Sequence, residues 1–223
     1  DLPKIDLLIG GSPCQDFSIA NKERKGLAGV KSNLFYEYLR LLKECNPKYF
    51  LLENVVMEDI HYNTLSHLLG TFPVDINSSL VSAQLRQRSY WTNIGDYSKD
   101  MFGMRYCKIP QPKDKKISLQ SILENGYVDT FKHTALNTRS GGWRSKDSMI
   151  LRNETTGMST IIYEDKSLSY DKDIRWVNQV EMERLQTVPE GYTKILTQKL
   201  AGDLLGDGWT VDVISHIFKY MKF

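Results

Sequence analysis

The sequence predicts an α/β fold in which strands and helices alternate along the chain. Two short, mainly apolar runs, at residues 5–9 and 49–52, are typical of strands buried in a parallel sheet. Between them, apolar residues recur at helical spacing from Leu34 to Cys45, and Asn46-Pro47 then ends the pattern. A right-handed strand, helix, strand unit brings both strand ends to one edge of the sheet, where open α/β sheets bind their ligands.

The pattern divides the chain into three segments. The alternation continues through a predicted helix at residues 60–69 and predicted strands at residues 75–82 and 88–94. Residues 97–170 show no sustained period and contain prolines, glycines and a lysine run, which predicts a loop-rich lobe. Order resumes with an amphipathic helix at residues 177–185. We therefore expect one α/β body formed by residues 1–96 and 171–223, with residues 97–170 as a lobe.

The composition excludes several classes of protein. The 223 residues are 41% hydrophobic and 25% charged, which suits one sizeable core and is too ordinary for a disordered or collagen-like chain. No apolar run approaches the roughly 18 residues that cross a bilayer, and residues 1–4 lead directly into a strand, so we expect neither a membrane protein nor a secretory precursor. Three cysteines without paired spacing predict reduced cytoplasmic thiols and neither a disulfide framework nor a metal site.

The positive charge is regional. The formal net charge is +2, but residues 99–152 carry 11 Lys or Arg and 5 Asp or Glu, so the rest of the chain is acidic. A local positive excess that is interleaved with aromatic residues suits a polyanionic partner such as nucleic acid. From composition alone, a solvated lysine-rich loop is an equally good interpretation.

Two residues at the predicted strand ends are chemically unusual. Cys14 follows a proline in a glycine-rich turn, where a thiol is exposed and where helix N-termini or arginines can lower its pKa. Glu53 ends the second apolar run, and burying a carboxylate is costly unless it is paired or its protonation is used. A buried structural cysteine and a glutamate in solvent are the alternative interpretations.

Two arginines follow in the segment Gln84-Leu85-Arg86-Gln87-Arg88. On a continuous strand, alternation places Arg86 and Arg88 on the same face, which predicts two guanidinium groups that act together. Arginines on the exposed surface of a strand are the alternative interpretation.

These residues occur together in the order and spacing of one family: the sequence resembles the cytosine-C5 DNA methyltransferases. The resemblance covers nearly all of the chain outside residues 97–170, and its ending is closest to the de novo branch and its phage and bacterial relatives. The five matching motifs are Gly11-Ser12-Pro13-Cys14-Gln15, Glu53-Asn54-Val55, Gln84-x-Arg86-x-Arg88, Arg175-x-x-Asn178-x-x-Glu181-x-x-Arg184-Leu185-Gln186 and Gly206-Asp207-Gly208-Trp209-Thr210-Val211.

The resemblance implies a Rossmann-like sheet of the S-adenosylmethionine-dependent methyltransferases, with residues 97–170 as a small loop-rich target recognition lobe. It implies methyl transfer from S-adenosylmethionine to C5 of cytosine in double-stranded DNA, on a base that is flipped out of the duplex. Cys14 would add to C6 of the base, while Glu53 and Arg88 would bind N3 and O2. Arg86 would orient Glu53 or the loop after Cys14.

The resemblance also implies contacts to the cofactor and to DNA. The implied cofactor-binding residues are Pro13, Leu34, Asp207 and Trp209. The implied DNA-binding residues are Gln15, which begins a mobile loop at residues 15–32, and Arg139, Trp143 and Arg144 in the recognition lobe. A basic loop that contacts only phosphates is an equal alternative for the lobe. We expect the protein in the cytoplasm of a prokaryote or a phage-infected host, or in the nucleus if its source is eukaryotic.

The chain departs from the family pattern in two places. The family's first motif, an aromatic-x-Gly-x-Gly turn for the methionine part of the cofactor, lies well before the cysteine motif, whereas 13 residues precede Cys14 here. Asp207 stands where many members have asparagine. Three hypotheses explain the first departure: part of a longer enzyme, one subunit of a split enzyme, or a catalytically silent DNA-binding subunit that needs a partner segment. The joint presence of Cys14, Glu53, Arg86 and Arg88 argues against the silent subunit.

Two further questions stay open at this level. RNA is a weaker hypothesis for the substrate. The biological purpose has three alternatives, which are restriction-modification, self-marking by a phage and gene regulation.

Overall fold

A computed structural model describes residues 3–12, 33–136, 145–157, 159–169 and 173–222 of the chain. The chain forms two compact units. Unit 1 consists of Asp1–Ile76, Gln87–Gln111 and Ile217–Phe223, and unit 2 consists of Asn77–Arg86 and Pro112–His216. The boundaries of these units differ from those of the predicted lobe at residues 97–170. The role of that lobe in target recognition stays a prediction.

Helices and short strands alternate in the described residues. The helices are α1 (Asn33–Cys45), α2 (Asp59–Leu69), α3 (Lys146–Thr156), α4 (Gln179–Gln186), α5 (Gln198–Asp207) and α6 (Val211–Phe218). The strands are β1 (Leu7–Gly11), β2 (Tyr49–Val55), β3 (Thr71–Phe72), β4 (Val74–Asn77), β5 (Gln84–Leu85), β6 (Gln87–Thr92), β7 (Tyr97–Lys99), β8 (Arg105–Cys107), β9 (His133–Thr134), β10 (Ile162–Tyr163) and β11 (Ile174–Arg175). The predicted helices at residues 34–45, 60–69 and 177–185 are confirmed as α1, α2 and α4.

Unit 1 is built on a sheet with the strand order β1-β2-β6-β4. The predicted parallel pairing of β1 with β2 is confirmed, and β2 pairs with β6 in the antiparallel direction. β2 is buried along almost its whole length, as its continuous apolar run predicts. β1 is the edge strand among the described strands, and Ile9 on it is 45% exposed, so the expectation that β1 is an interior strand is wrong for the part of the sheet that the structure describes.

The core of unit 1 lies between the sheet and the two helices that follow β1 and β2. Phe35 and Tyr38 of α1 and Leu65 of α2 pack against Leu52 and Trp91 of the sheet. Gly10 allows α1 to approach β1 closely, because a Cβ atom at this position would lie 2.8 Å from a ring carbon of Tyr38. The absence of a side chain at Gly10 therefore determines how closely α1 packs against β1.

We expect Gly10→Ala to lower the free energy of unfolding by about 1–3 kcal/mol, because an extra methyl group in a packed site forces the surrounding side chains to move. Urea denaturation would measure the loss. Tyr38→Leu is the matched background, since the shorter side chain leaves room for the methyl group. An equal loss in both backgrounds would contradict the role that we give to the Tyr38 ring.

Unit 2 has its own apolar core, formed by residues that are far apart in the sequence. Ala83, Leu119, Leu136, Met182 and Leu205 are among its buried members. A smaller cluster joins Met149 of α3 to Ile161, Tyr163 and Ile174 near the two-stranded sheet of β10 and β11. These clusters give unit 2 a packed interior, although its strands are only two residues long.

The helix α3 lies in the segment that the sequence analysis predicts to be rich in loops. Its ends are defined by caps: Ser145 Oγ accepts a hydrogen bond from the backbone N–H of Ser148, and Gly157 ends the helix at a φ of 62°. Met149 is its buried residue. The apolar period that normally reveals a helix is therefore missing, because α3 buries so little of its surface.

Two strand predictions differ from the structure. The strand predicted at residues 75–82 is shorter, because a 3-10 helix at Ser78–Leu80 begins at Asn77, whose Oδ1 accepts a hydrogen bond from Ser79 N. The prediction that Arg86 and Arg88 share one face of a continuous strand is wrong. β5 ends before Arg86 and β6 begins after it, and the backbone N–H of Arg86 donates to Asn77 Oδ1 at 3.1 Å.

None of the helices in the described part of the chain is both long and apolar enough to cross a membrane.

Candidate active site

Glu53 is a buried carboxylate near the end of β2. It is 8% exposed, and its Oε1 lies 2.9 Å from Nε of Arg88 on the adjacent strand β6. The antiparallel register places Arg88 opposite Val55, two residues along β2 from Glu53. The strand-end glutamate is thus paired with one of the two predicted arginines. The alternative of a glutamate in solvent is wrong.

Asn54 links β2 to the chain that leads to Cys14. Its Nδ2 donates to Ser12 Oγ at 2.8 Å, and its Oδ1 accepts from the backbone N–H of Val55 at 2.8 Å. The parallel register also places Gly11 opposite Glu53. The ends of β1 and β2 are therefore fixed to each other next to the buried carboxylate, as the crossover rule predicts.

Several predicted site residues lie outside the described residues. They are Pro13, Cys14, Gln15, Arg139, Trp143 and Arg144. Their predicted roles remain predictions, as does the role of the loop at residues 15–32.

Cys107, one of the two described cysteines, does not have the environment of a nucleophile. Cys107 donates its S–H to the carbonyl oxygen of Thr92, and burial raises the pKa of its thiol. Cys45 lies at the end of α1 and is partly exposed. Among the described residues, no group of three or more histidine, cysteine, aspartate or glutamate side chains is placed to bind a metal ion.

Arg86 belongs to unit 2, where it binds the backbone around the end of α5. Its guanidinium is buried and donates to the carbonyl oxygens of Leu136 at 2.9 Å, Gly206 at 3.2 Å and Gly208 at 2.9 Å. Arg86 therefore positions the turn that carries Asp207. Its predicted action on Glu53 or the loop stays a prediction.

A buried hydrogen-bond network surrounds this turn. Gln84 Nε2 donates to the carbonyl oxygen of Leu185 at 2.6 Å and to Gln186 Oε1 at 2.8 Å. Thr210 Oγ1 donates to the same Gln186 Oε1 at 2.9 Å and accepts from Ser78 Oγ at 2.8 Å. Residues from three of the five sequence motifs thus meet in the interior of unit 2. Buried polar groups need such partners, because leaving one without a partner costs about 1–3 kcal/mol.

Sequence reasoning missed the roles of Gln84, Gln186 and Thr210. All three are polar, and each is at most 1% exposed. The sequence contains one indication of their importance: each of them lies inside one of the five motifs. The role of Asn54 was also missed. It lies in the same motif as Glu53, and only the glutamate has an evident chemical use.

The predicted cofactor-binding residues are found in both units. Leu34 lies in the first turn of α1 in unit 1 and is 54% exposed. In unit 2, Asp207 is the exposed last residue of α5, and Trp209 follows it with a partly exposed side chain. Each of these side chains is at least partly exposed and is therefore accessible to a ligand.

Glu181 is the centre of a second buried network in the late helix motif. It accepts hydrogen bonds from both terminal nitrogens of Arg175, at 2.7 and 2.8 Å, and from the backbone N–H of Glu124 at 2.9 Å. It also forms a capping box with Asn178 at the start of α4. Burial raises the pKa of Glu181, but the hydrogen bonds from Arg175 and from these backbone groups outweigh burial, so its pKa lies below the ordinary value.

We expect Glu181→Gln to lower the free energy of unfolding at neutral pH by about 3–5 kcal/mol, because it leaves a buried guanidinium without its counter-charge. Urea denaturation of both proteins would measure the difference. Glu190→Gln is the matched control: Glu190 pairs with Arg184 at 2.8 Å but is 61% exposed. Its loss should stay within about 1 kcal/mol.

The same pair of proteins predicts a pH dependence. A folded-state pKa below the unfolded value of about 4.3 means that the stabilisation is present above that pH and is lost as the pH falls through the folded-state pKa. The difference in the free energy of unfolding between wild type and Glu181→Gln should therefore shrink below a pH of about 4.3. A difference that stays constant with pH would contradict this prediction. Burial lowers the pKa of His133 to about 4. His133 is present in both proteins, so their difference isolates Glu181.

The chain is similar to proteins of known type. Residues 1–74 match the profile described as C-5 cytosine-specific DNA methylase. The chain is 28% identical over 250 residues to the type II methyltransferase M1.ScrFI of Lactococcus lactis subsp. cremoris, an alignment that covers 99% of this chain and 63% of that protein. It is 54% identical over 73 residues to the orphan methyltransferase M.Rho11sI of Bacillus phage rho11s, which covers 32% of this chain and 14% of that protein.

The fold is also shared with solved structures. DNMT2 of Spodoptera frugiperda superposes with a TM-score of 0.61 at 16% identity, covering 97% of this chain and 79% of that chain. This likeness shows that the predicted Rossmann-like methyltransferase fold is correct. The chain spans less than two thirds of the length of the type II methyltransferases that it matches over most of its own length.

Proposed function

We propose that this chain carries out methyl transfer from S-adenosylmethionine to C5 of cytosine in double-stranded DNA. The observation that carries the proposal is the buried Glu53–Arg88 pair, beside a strand end that Asn54 ties to the segment before Cys14. A buried ion pair is expensive to maintain, and base recognition gives this one a use. The match of residues 1–74 to the C-5 cytosine-specific DNA methylase profile and the similarity to a type II methyltransferase support the same reaction.

The residue types match the chemistry of an unreactive ring carbon. C5 of cytosine is a weak nucleophile, and addition of a Cys14 thiolate to C6 forms an S–C6 bond and makes C5 enamine-like. Glu53 in its protonated form donates to N3, and Arg88 donates to O2, so both neutralise the charge that develops on the ring. After C5 has gained the methyl group, it loses its proton to a base, and the S–C6 bond breaks to release Cys14.

The accessible residues fit the chemical groups of the cofactor. In unit 2, Trp209 offers apolar surface for an adenine ring, and Asp207 offers a carboxylate for hydroxyl or ammonium groups. S-adenosylmethionine supplies the electrophilic methyl group when it is bound. Arg86 holds the turn of Asp207 in place through the carbonyl groups on both sides of it.

Covalent trapping tests the nucleophile. We expect the chain, incubated with S-adenosylmethionine and a mixed-sequence duplex that contains 5-fluorocytosine, to form a denaturation-resistant adduct, because fluorine at C5 prevents release of the enzyme. The adduct would be detected by its lower mobility in a denaturing gel, and Cys14→Ser should abolish it. Absence of the adduct in wild type would contradict activity of this chain alone. An adduct with a tRNA but not with the DNA duplex would contradict the proposed substrate.

Exchange of the C5 hydrogen tests Glu53 without the cofactor. Addition of Cys14 to C6 allows the C5 hydrogen of cytosine to exchange with deuterium from water, which mass spectrometry measures. We expect Glu53→Gln to slow the exchange by about 10²–10⁴-fold, since the variant cannot donate a proton to N3. Glu44→Gln, on the exposed surface of α1, is the control and should exchange at the wild-type rate. Equal rates in all three proteins would exclude Glu53 from the addition step.

A further inference from the structure

Helix α5 ends without the usual left-handed glycine cap. Its C-cap residue Gly208 has an extended backbone, with φ −72° and ψ 172°, whereas Gly157 ends α3 in the left-handed region. The last four carbonyl groups of a helix have no partner inside it. The first of them, on Leu204, accepts the backbone N–H of Gly208 at 2.9 Å. The carbonyl groups that follow need donors from elsewhere in the molecule.

Side chains from two other motifs supply these donors. Gln186 Nε2 donates to the carbonyl oxygens of Leu205 and Gly208. Arg86 donates to the carbonyl oxygens of Gly206 at 3.2 Å and Gly208 at 2.9 Å. A cation is favourable here, because the C-terminal end of a helix carries a partial negative charge. Arg86 and Gln186 therefore form a side-chain cap at the end of α5.

The hydrogen bonds of this side-chain cap continue to the residue before α6. Gln186 Oε1 accepts from Thr210 Oγ1 at 2.9 Å and from Gln84 Nε2 at 2.8 Å. The backbone is thus held by buried groups on both sides of Asp207 and Trp209, whose side chains are at least partly exposed. A fixed backbone that presents accessible side chains loses little conformational entropy when a ligand binds.

We propose that the side-chain cap sets the affinity of the protein for S-adenosylmethionine, with Arg86 and Gln186 as positioning residues of the cofactor site. When either donor is removed, the backbone around Asp207 and Trp209 gains freedom, and the cofactor must restore its order on binding. The proposal rests on the proposed function, which assigns Asp207 and Trp209 to the cofactor. It gives Arg86 a different role from the orientation of Glu53 that the resemblance implies.

The first experiment follows the end of α5 in the full chain without the cofactor. Labelling with 5-fluorotryptophan gives a fluorine resonance for each of the four tryptophans, and that of Trp209 is assigned by its loss in Trp209→Phe. We expect Arg86→Gln to shift or broaden the Trp209 resonance and to leave that of Trp91, in the core of unit 1, unchanged. An unchanged Trp209 resonance would overturn the proposal.

Calorimetric titration with S-adenosylmethionine measures the affinity itself. We expect Arg86→Gln and Gln186→Met each to raise the Kd by about tenfold, which corresponds to the ordering of about one backbone residue. Arg86→Lys keeps a positive charge and a donor, so it should recover part of the affinity. An unchanged Kd in the first two variants, or no measurable binding by wild type, would contradict the role of the cap.

Gln179→Met is the matched control. Gln179 lies in the same helix as Gln186, and its Nε2 donates to Thr193 Oγ1 at 2.9 Å in the segment before α5. The variant loses a comparable hydrogen bond of unit 2 at a separate site, so its Kd should stay within about twofold of the wild-type value. A rise equal to that of Gln186→Met would show a general effect on unit 2 and would also overturn the proposal.

Exchange of the C5 hydrogen, which needs no cofactor, separates this proposal from the proposed function. We expect Arg86→Gln to slow the exchange far less than Glu53→Gln does. Equal slowing by the two variants would mean that Arg86 acts on the base and would exclude its role in the cofactor site. Absence of exchange in wild type would contradict the proposed methyl transfer, while the titration with S-adenosylmethionine would still test the side-chain cap.

Discussion

The burial of a carboxylate at the end of β2 is the constraint on which the site depends. A strand that is buried on both faces excludes water from Glu53, so the carboxylate is tolerated only with a partner nearby. The antiparallel pairing of β2 with β6 supplies Arg88. The parallel pairing with β1 brings Gly11 opposite Glu53, and Asn54 fixes Ser12. One buried charge thus explains why three strands must keep this register.

Unit 2 buries polar side chains as well, and most of them are uncharged. Gln84, Gln186 and Thr210 are separated by more than 20 residues from one another in the chain, but they share hydrogen bonds in the interior. Because each of these groups satisfies the others, removal of one leaves buried partners unpaired. Arg86 adds a positive charge to the same region. Its guanidinium donates to the carbonyl oxygens of Gly206 and Gly208 at the end of α5. The conformation of the Gly206-Asp207-Gly208 turn is therefore determined by residues from a distant motif.

The late helix motif illustrates how one residue type serves two purposes. Glu181 begins α4 as part of a capping box and at the same time neutralises Arg175. Both terminal nitrogens of Arg175 donate to this carboxylate, and they also donate to the carbonyl oxygens of Trp176 and Asn125.

The sequence by itself determined the local elements and the resemblance to the cytosine-C5 methyltransferases. Apolar patterns located β1, β2, α1, α2 and α4, because each of these segments carries an apolar run or an apolar stripe in its sequence. The spacing of the motifs identified Glu53 and Arg88 as site residues, and the structure pairs them. The predicted roles of Cys14 and of the recognition residues still depend on the resemblance to the family.

Only the tertiary structure decided which polar side chains meet. Helix α3 buries little beyond Met149, so no periodicity could reveal it, and its caps became visible only with the backbone. The break in the strand at Arg86 depends on Asn77, which offers its side chain to the Arg86 backbone and so competes with the strand ladder. Whether a glutamine or threonine lies in a core or in solvent depends on contacts between distant segments, and a local pattern carries no record of those contacts.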